Sequence, residues 1–166
     1  MTETDFLLLI QTYRTDTFDA LMYHLSAAGN GGLMWLILAA LLVVFDKTRK
    51  TGLAIFLAML LHFIVINLWL KPFFDRLRPC ENIALDNLLL QCLHDGSFPS
   101  GHTSAAFATA AIIFCAHKPA GLILFFLAAL MGFSRLYLFV HYPSDVLAGA
   151  LLGILFGMSA YRLAKR

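Results

Sequence analysis

The side chains with chemistry to offer fall in stretches far apart in the chain: Lys71, Asp75, Arg76 and Arg78, then His94, Asp95 and His102, then Arg135, His141 and Asp145. Lys and Arg beside apolar runs mark a site by default. Several cations with two histidines suit a bound anion, phosphate above all, because arginine offers a planar fork and lysine a point charge. Pro99-Ser100-Gly101-His102 reads as a helix start. Ser100 would cap it, Gly101 would let the backbone come close, and the free amides would face an anion. His141 and Asp145 are four apart. With a helix beginning near Pro143 they share a face, and the carboxylate fixes one ring nitrogen while the other stays basic. No Ser or Cys stands against a base, so His141 is the best nucleophile, with His102 as the acid for the leaving oxygen. Lys71, Arg78 and Arg135 would neutralise the phosphoryl oxygens. His102, His141 and Asp145 could in principle form a facial metal triad. The surrounding cations would repel a metal ion, so neither metal nor cofactor is expected.

Positioning these groups falls to apolar segments. Of the 166 residues, 60% are hydrophobic and 13% charged, against about 45–50% and 25% in a soluble domain. Mean hydropathy is +0.79. These values exclude a disordered chain, a coiled coil, collagen and a small disulfide scaffold, and predict an integral membrane protein. A net charge of +2 gives no footing for nucleic acid. The length suits a single domain over 1–166. Residues 31–45, 51–70, 101–116, 119–138 and 144–163 read as transmembrane helices, the shorter ones needing their flanks to cross. Residues 1–28 would bury Arg14 and Asp16 at mid-depth if they formed one span, so one or two interfacial helices are expected, with a kinked span as the alternative. Residues 1–5 carry Glu3 and Asp5 but no Lys or Arg, so no cleavable leader is expected.

Counting crossings from Lys47, Arg49 and Lys50 as cytoplasmic puts 71–98 and 139–144 outside, and returns Lys118 and the tail Arg162–Arg166 inside. The chemical residues then share the outer face. Cys80 and Cys92 flank a polar loop there and pair if it meets an oxidising compartment; two free thiols are the other reading. Cys115 reads as a buried small side chain. Asp75 and Arg76 read as a local ion pair, with direct substrate contact as the alternative, His94 and Asp95 as loop-shaping residues, and His62 and Asn67 as partners in interhelical hydrogen bonds. Gly149, Gly153 and Gly157 form a ladder for close helix contact or for a dimer.

Taken together, Lys71-x6-Arg78-Pro79, Pro99-Ser100-Gly101-His102 and Ser134-Arg135-x5-His141-x3-Asp145 resemble the three motifs of the type 2 phosphatidic acid phosphatase (PAP2) superfamily of membrane lipid phosphatases. Order and spacing agree at every motif position. The resemblance implies an all-α, polytopic transmembrane bundle of about five to six helices with a PAP2/haloperoxidase-like core. It implies metal-independent hydrolysis through a phosphohistidine on His141, supported by Asp145, with His102 as general acid. Lys71, Arg78, Ser100, Gly101 and Arg135 would hold the phosphate. It further implies a bacterial cytoplasmic (inner) membrane protein with its site on the extracytoplasmic side, taking a lipid phosphate or diphosphate from the bilayer. Undecaprenyl diphosphate is slightly preferred over phosphatidylglycerophosphate or phosphatidate. A phospholipid or anion transporter would share Arg78 and Arg135 but would not need His141 as a nucleophile.

Overall fold

A computed structural model describes all 166 residues, Met1–Arg166. Its regular elements are all helical. Helix α1 (Glu3–Thr12) opens with a reciprocal cap: the Asp5 amide donates to Thr2 Oγ1 at 3.1 Å and the Thr2 amide to the Asp5 carboxylate at 2.7 Å. The box satisfies two amides that have no partner inside the helix. Helix α2 (Asp16–Ala28) is capped by Thr15. Arg14 sits in the break between them, with its guanidinium on Asp19 at 2.8 Å and on the Asn87 carbonyl at 2.8 Å. Of the charges that argued against a single span over 6–28, Arg14 therefore lies between two helices and Asp16 begins the second.

Gly31 and Gly32 follow with φ of 61° and 69°, a region that only glycine occupies cheaply. This turn bends α2 by 45° against the stretch that carries α3 (Leu33–Val44). Segment 31–45, expected to cross alone, has only 12 helical residues, about 18 Å of helix. Only together with α2, across the bend, does it reach the length and hydropathy of a span. Helix α4 (Arg49–His62) widens into a π-helical segment, Phe63–Leu70, and continues as α5 (Lys71–Phe74) and α6 (Pro79–Asn82). A long connection leads to α7 (Gly101–Ala116), α8 (Lys118–Tyr137) and α9 (Pro143–Lys165). The last two have Pro in their first turns, where no amide partner is lost.

The architecture is an all-α membrane fold. Three stretches are long and apolar enough to cross a bilayer, namely Arg49–Asn82, Lys118–Tyr137 and Pro143–Lys165, and the bent pair makes a fourth. The five to six spans expected thus reduce to three or four clear ones. The physical reason is length: α7 has 16 residues, about 24 Å, short of a hydrocarbon core of about 30 Å.

Helix α7 is nonetheless the centre, packed against α9, α8 and α4. Its small residues Ser104, Ala105, Ala108 and Ala111 are buried on several faces. Helix α9 approaches it through the glycine ladder. A Cβ on Gly149, Gly153 or Gly157 would strike the carbonyl oxygen of Ser100, Ser104 or Ala108. The ladder is used within the chain, and it brings Asp145 and Ser100 together at the top. His62 of α4 meets Ser104 of α7 through Nδ1 at 3.2 Å, an interhelical bond of the expected kind. Cys115, expected to be buried, is exposed; in a bilayer an apolar residue is as stable facing lipid as facing protein. Over the end of the bundle where α8 gives way to α9, Leu7, Tyr137, Leu138, Phe139 and Cys80 form a second apolar cluster, and Cys80 is disulfide-bonded to Cys92.

Replacing Gly153 by Leu forces α7 and α9 apart. Overpacking of this kind costs about 1–3 kcal/mol. The expected result is a lowered thermal unfolding midpoint in detergent, whereas Leu155→Ile, an isomeric change at an exposed position of the same helix, should leave the midpoint in place.

Candidate active site

The chemical residues converge on one cavity of about 560 Å³. Lys71, Arg78, Gly101, His102, Arg135, His141 and Asp95 line its polar end, and Leu36, Phe56, Met59, Leu60 and Phe63 line the rest. Phe56, Leu60 and Phe63 are also exposed on the outside of the molecule. An exposed apolar wall therefore adjoins the cations within one cavity.

Each cation is delivered by a different element. Lys71 stands where the π-helical segment ends. A π segment shifts the register of the residues that follow, and such segments recur at functional sites. Arg78 caps α6 and is only 2% exposed. It donates from Nη1 to the Val140 carbonyl at 2.9 Å and from Nη2 to Asp95 Oδ1 at 2.7 Å. Arg135, in the last turn of α8, is 3% exposed. One Nη of Arg135 donates to the Ser26 hydroxyl, and its Nε–H has no partner in the chain. A buried guanidinium with a free donor is costly unless an anion completes it.

His141 lies just before α9, buried to 1% exposure. Arg78 Nη1 is 3.2 Å from its Nε2. A guanidinium can only donate, so Nε2 must accept and carries no proton. The proton belongs on Nδ1, which faces Asp145 Oδ2 at 3.5 Å and Ser97 Oγ at 3.4 Å. Burial lowers the imidazole's basicity, Asp145 partly restores it, and Arg135 and Arg78 lower it again, leaving the ring neutral over the ordinary pH range. The tautomer is thus the one whose lone pair points at the cations.

Asp145 is fully buried and bound on both oxygens. It caps α9 by accepting from the Tyr142 amide at 2.8 Å, takes the Ser97 hydroxyl at 2.5 Å, and meets Arg76 Nη1 at 2.6 Å. Arg76 also reaches Glu3 at 2.7 Å and lies 4.1 Å over the Tyr142 ring. The expected local pairing of Arg76 with its neighbour is therefore corrected: its partners come from α1 and α9, because Asp75 takes a left-handed turn at φ 39°.

His102 is in the first turn of α7, with Nε2 donating to Asn30 Oδ1 at 3.0 Å. Gly29 lies so close that a Cβ there would meet the His102 ring at 2.8 Å. Ser100 departs from its expected role as a capping side chain. It makes no cap bond; its Oγ accepts from Thr103 at 2.9 Å and its amide donates to the Asp145 carbonyl at 3.0 Å. Ser100 is fully buried behind the cavity, which Gly101 and His102 line. Asp95 does more than shape its loop. It bridges Lys71 and Arg78. Burial pushes its carboxyl up, but the two cations outweigh that and hold it down at about 2. Sequence reasoning missed Ser97, Asn30 and the bridging by Asp95. The only signal for Ser97 was its place two residues before Pro99; nothing local pointed to Asn30.

The cavity gathers cations around an imidazole whose free nitrogen faces them, and apolar side chains line the rest of it. Residues 51–166 match the PAP2 superfamily. The chain is 33% identical over 147 residues to the undecaprenyl-diphosphatase of Sulfolobus acidocaldarius, covering 87% of this chain and 70% of that one. It resembles the crystal structure of Aquifex aeolicus LpxE with a TM-score of 0.76 at 35% identity, covering 95% and 93% of the two chains. It also resembles the PAP2-type phosphatidylglycerolphosphate phosphatase of Bacillus subtilis with a TM-score of 0.80 at 25% identity, covering 98% and 84%. A cation-lined cavity walled by membrane helices, carried on a sequence and a fold that both align along most of their length, makes this chain a member of the PAP2 superfamily and a membrane-embedded lipid phosphatase.

Proposed function

We propose that this single domain, 1–166, dephosphorylates a polyprenyl diphosphate, undecaprenyl diphosphate foremost, through a phosphohistidine on His141. The observation that carries the mechanism is the forced acceptor state of His141 Nε2 beside Arg78. Lys71, Arg78, Arg135 and the Gly101 amide hold the terminal phosphoryl group, and Ser100 fixes the backbone that presents that amide. His141 Nε2 attacks phosphorus, and the bond to the bridging oxygen breaks. His102 gives that oxygen its proton and the lipid phosphate leaves. Water then attacks the phosphohistidine, with His102 taking its proton, and inorganic phosphate departs. Asp145 holds Nδ1–H throughout and offsets the charge the ring gains. No metal takes part, since the cations already supply the compensating charge.

The site faces the extracytoplasmic side of a bacterial cytoplasmic membrane, and α7, added to the three long stretches and the bent pair, makes a bundle of five crossings. Two features support this sidedness. The basic patches at Lys47–Lys50 and Arg162–Arg166 suit the cytoplasm. The Cys80–Cys92 disulfide at the site's end suits an oxidising compartment. The likeness to an undecaprenyl-diphosphatase supports the polyprenyl substrate. The likeness to a phosphatidylglycerolphosphate phosphatase keeps phosphatidylglycerophosphate as the second reading.

Three measurements test these proposals. Rapid quenching of purified protein with terminally labelled substrate should trap an acid-labile, alkali-stable label that His141→Ala lacks; a label that persists in the variant rules out His141 as nucleophile. Replacing His102 by Ala should slow poor leaving groups by about 10²–10⁴-fold, the usual worth of a general acid, and spare substrates with good ones; an equal loss on both removes the acid role. Comparison of kcat/KM on undecaprenyl diphosphate, phosphatidylglycerophosphate and phosphatidate should favour the first, and a clear preference for either glycerolipid would transfer the assignment to it.

A further inference from the structure

Asp95 occupies the two cations that a phosphoryl group needs. Its carboxylate bridges the Lys71 ammonium and Arg78 Nη2, the latter at 2.7 Å. Its own carbonyl also accepts from Arg78 Nε at 3.2 Å. The loop is pressed into place next door: a Cβ on Gly96 would meet the Lys71 carbonyl at 2.7 Å, and Ser97 is bound to Asp145. Exposure differs across the cluster. The Asp95 side chain is 50% exposed, those of Lys71 and Arg78 12% and 2%. The carboxylate therefore stands at the mouth and can turn outward into water, while the cations stay fixed behind it. Arg135, 3% exposed, has no carboxylate partner, and its Nε–H is unpaired.

An anion entering from the bilayer must take Lys71 and Arg78 away from Asp95. That exchange is a cost that any anion must exceed before it binds, and only an anion that gains more contacts than the carboxylate gives up exceeds it. A terminal phosphoryl group carries up to two charges on three free oxygens and can engage Lys71, Arg78 and Arg135 at once. A phosphodiester carries one charge on two free oxygens and replaces the carboxylate with little net gain. Diesters are the headgroups of ordinary phospholipid and surround the apolar wall at Phe56, Leu60 and Phe63. Resting on the lipid phosphatase reading, we propose that Asp95 is a specificity-determining residue, an internal counter-ion that keeps phosphodiester headgroups out of the site while terminal phosphoryl groups still bind. It acts through Lys71 and Arg78 and takes no part in the bond-making steps. Because the carboxyl titrates at about 2, the counter-ion is present at any working pH.

The test is binding rather than turnover. Inorganic phosphate is titrated into the detergent-solubilised protein by calorimetry, with and without phosphatidylglycerol in the micelles, for the wild type, Asp95→Asn and Asp95→Glu. The expected result for Asp95→Asn is phosphate binding tightened about tenfold, the scale of one charge-assisted bond, together with competition by phosphatidylglycerol that the wild type and Asp95→Glu lack. Weaker or unchanged phosphate binding in Asp95→Asn overturns the proposal and leaves Asp95 as a prop for the loop. Tighter phosphate without phosphatidylglycerol competition overturns it as well, since the selectivity is then set elsewhere. Absence of phosphate binding in all three proteins overturns the phosphate site itself, a separate failure.

Discussion

Two guanidinium groups, Arg78 and Arg135, are held almost wholly out of water, 2% and 3% exposed, beside an ammonium that is itself mostly covered. Charges in such a place are costly unless each is matched by an opposite charge or by well-aimed acceptors. The Val140 and Asp95 carbonyls, the Asp95 carboxylate and the Ser26 hydroxyl meet part of that need. The Arg135 Nε–H is left over. A cavity with surplus, preorganised positive charge suits a phosphoryl group, whose equatorial oxygens gather charge during transfer. The neutral state and tautomer of His141 follow from the same field, since a donor at 3.2 Å from Nε2 leaves room for nothing but a lone pair.

Holding like charges together requires a stiff frame. The frame is the contact of α7 with α9, made close by Gly149, Gly153 and Gly157. It ends where the Ser100 amide meets the Asp145 carbonyl. Asp145 thereby has two uses. It starts α9 by accepting the Tyr142 amide, and it orients His141. Arg76 secures it from the far side, and Glu3 secures Arg76 while accepting the Ser144 amide. The amphipathic helix α1 is thus tied to the histidine through Glu3, Arg76 and Asp145, which explains why a short helix beside the bundle is capped and packed, with Leu7 fully buried.

Much of this was legible in the residues. The three cations, both histidines and Asp145 were identifiable because they lie at fixed spacings beside apolar runs, where ionisable groups are rare without a purpose. The helical bounds of α7, α8 and α9 fall within two residues of the apolar segments read from the sequence. Other features were not legible. Segment 31–45 looked like a span, yet the φ of Gly31 and Gly32 makes it half of a bent pair. Cys115 looked buried, yet apolarity does not tell lipid from protein. Arg76 looked locally paired, yet its partners lie 69 and 73 positions away.

Composition and spacing by themselves determined that the chain is a membrane protein with a phosphate chemistry, because hydropathy and the side chains' own acid–base character are properties of residues. Only the tertiary structure decided which nitrogen of His141 is free, that Asp95 shares the cations, and that Ser97, Asn30 and Arg76 serve the site. Those depend on directions and distances between groups brought together by helix packing, and no local pattern in the chain encodes them.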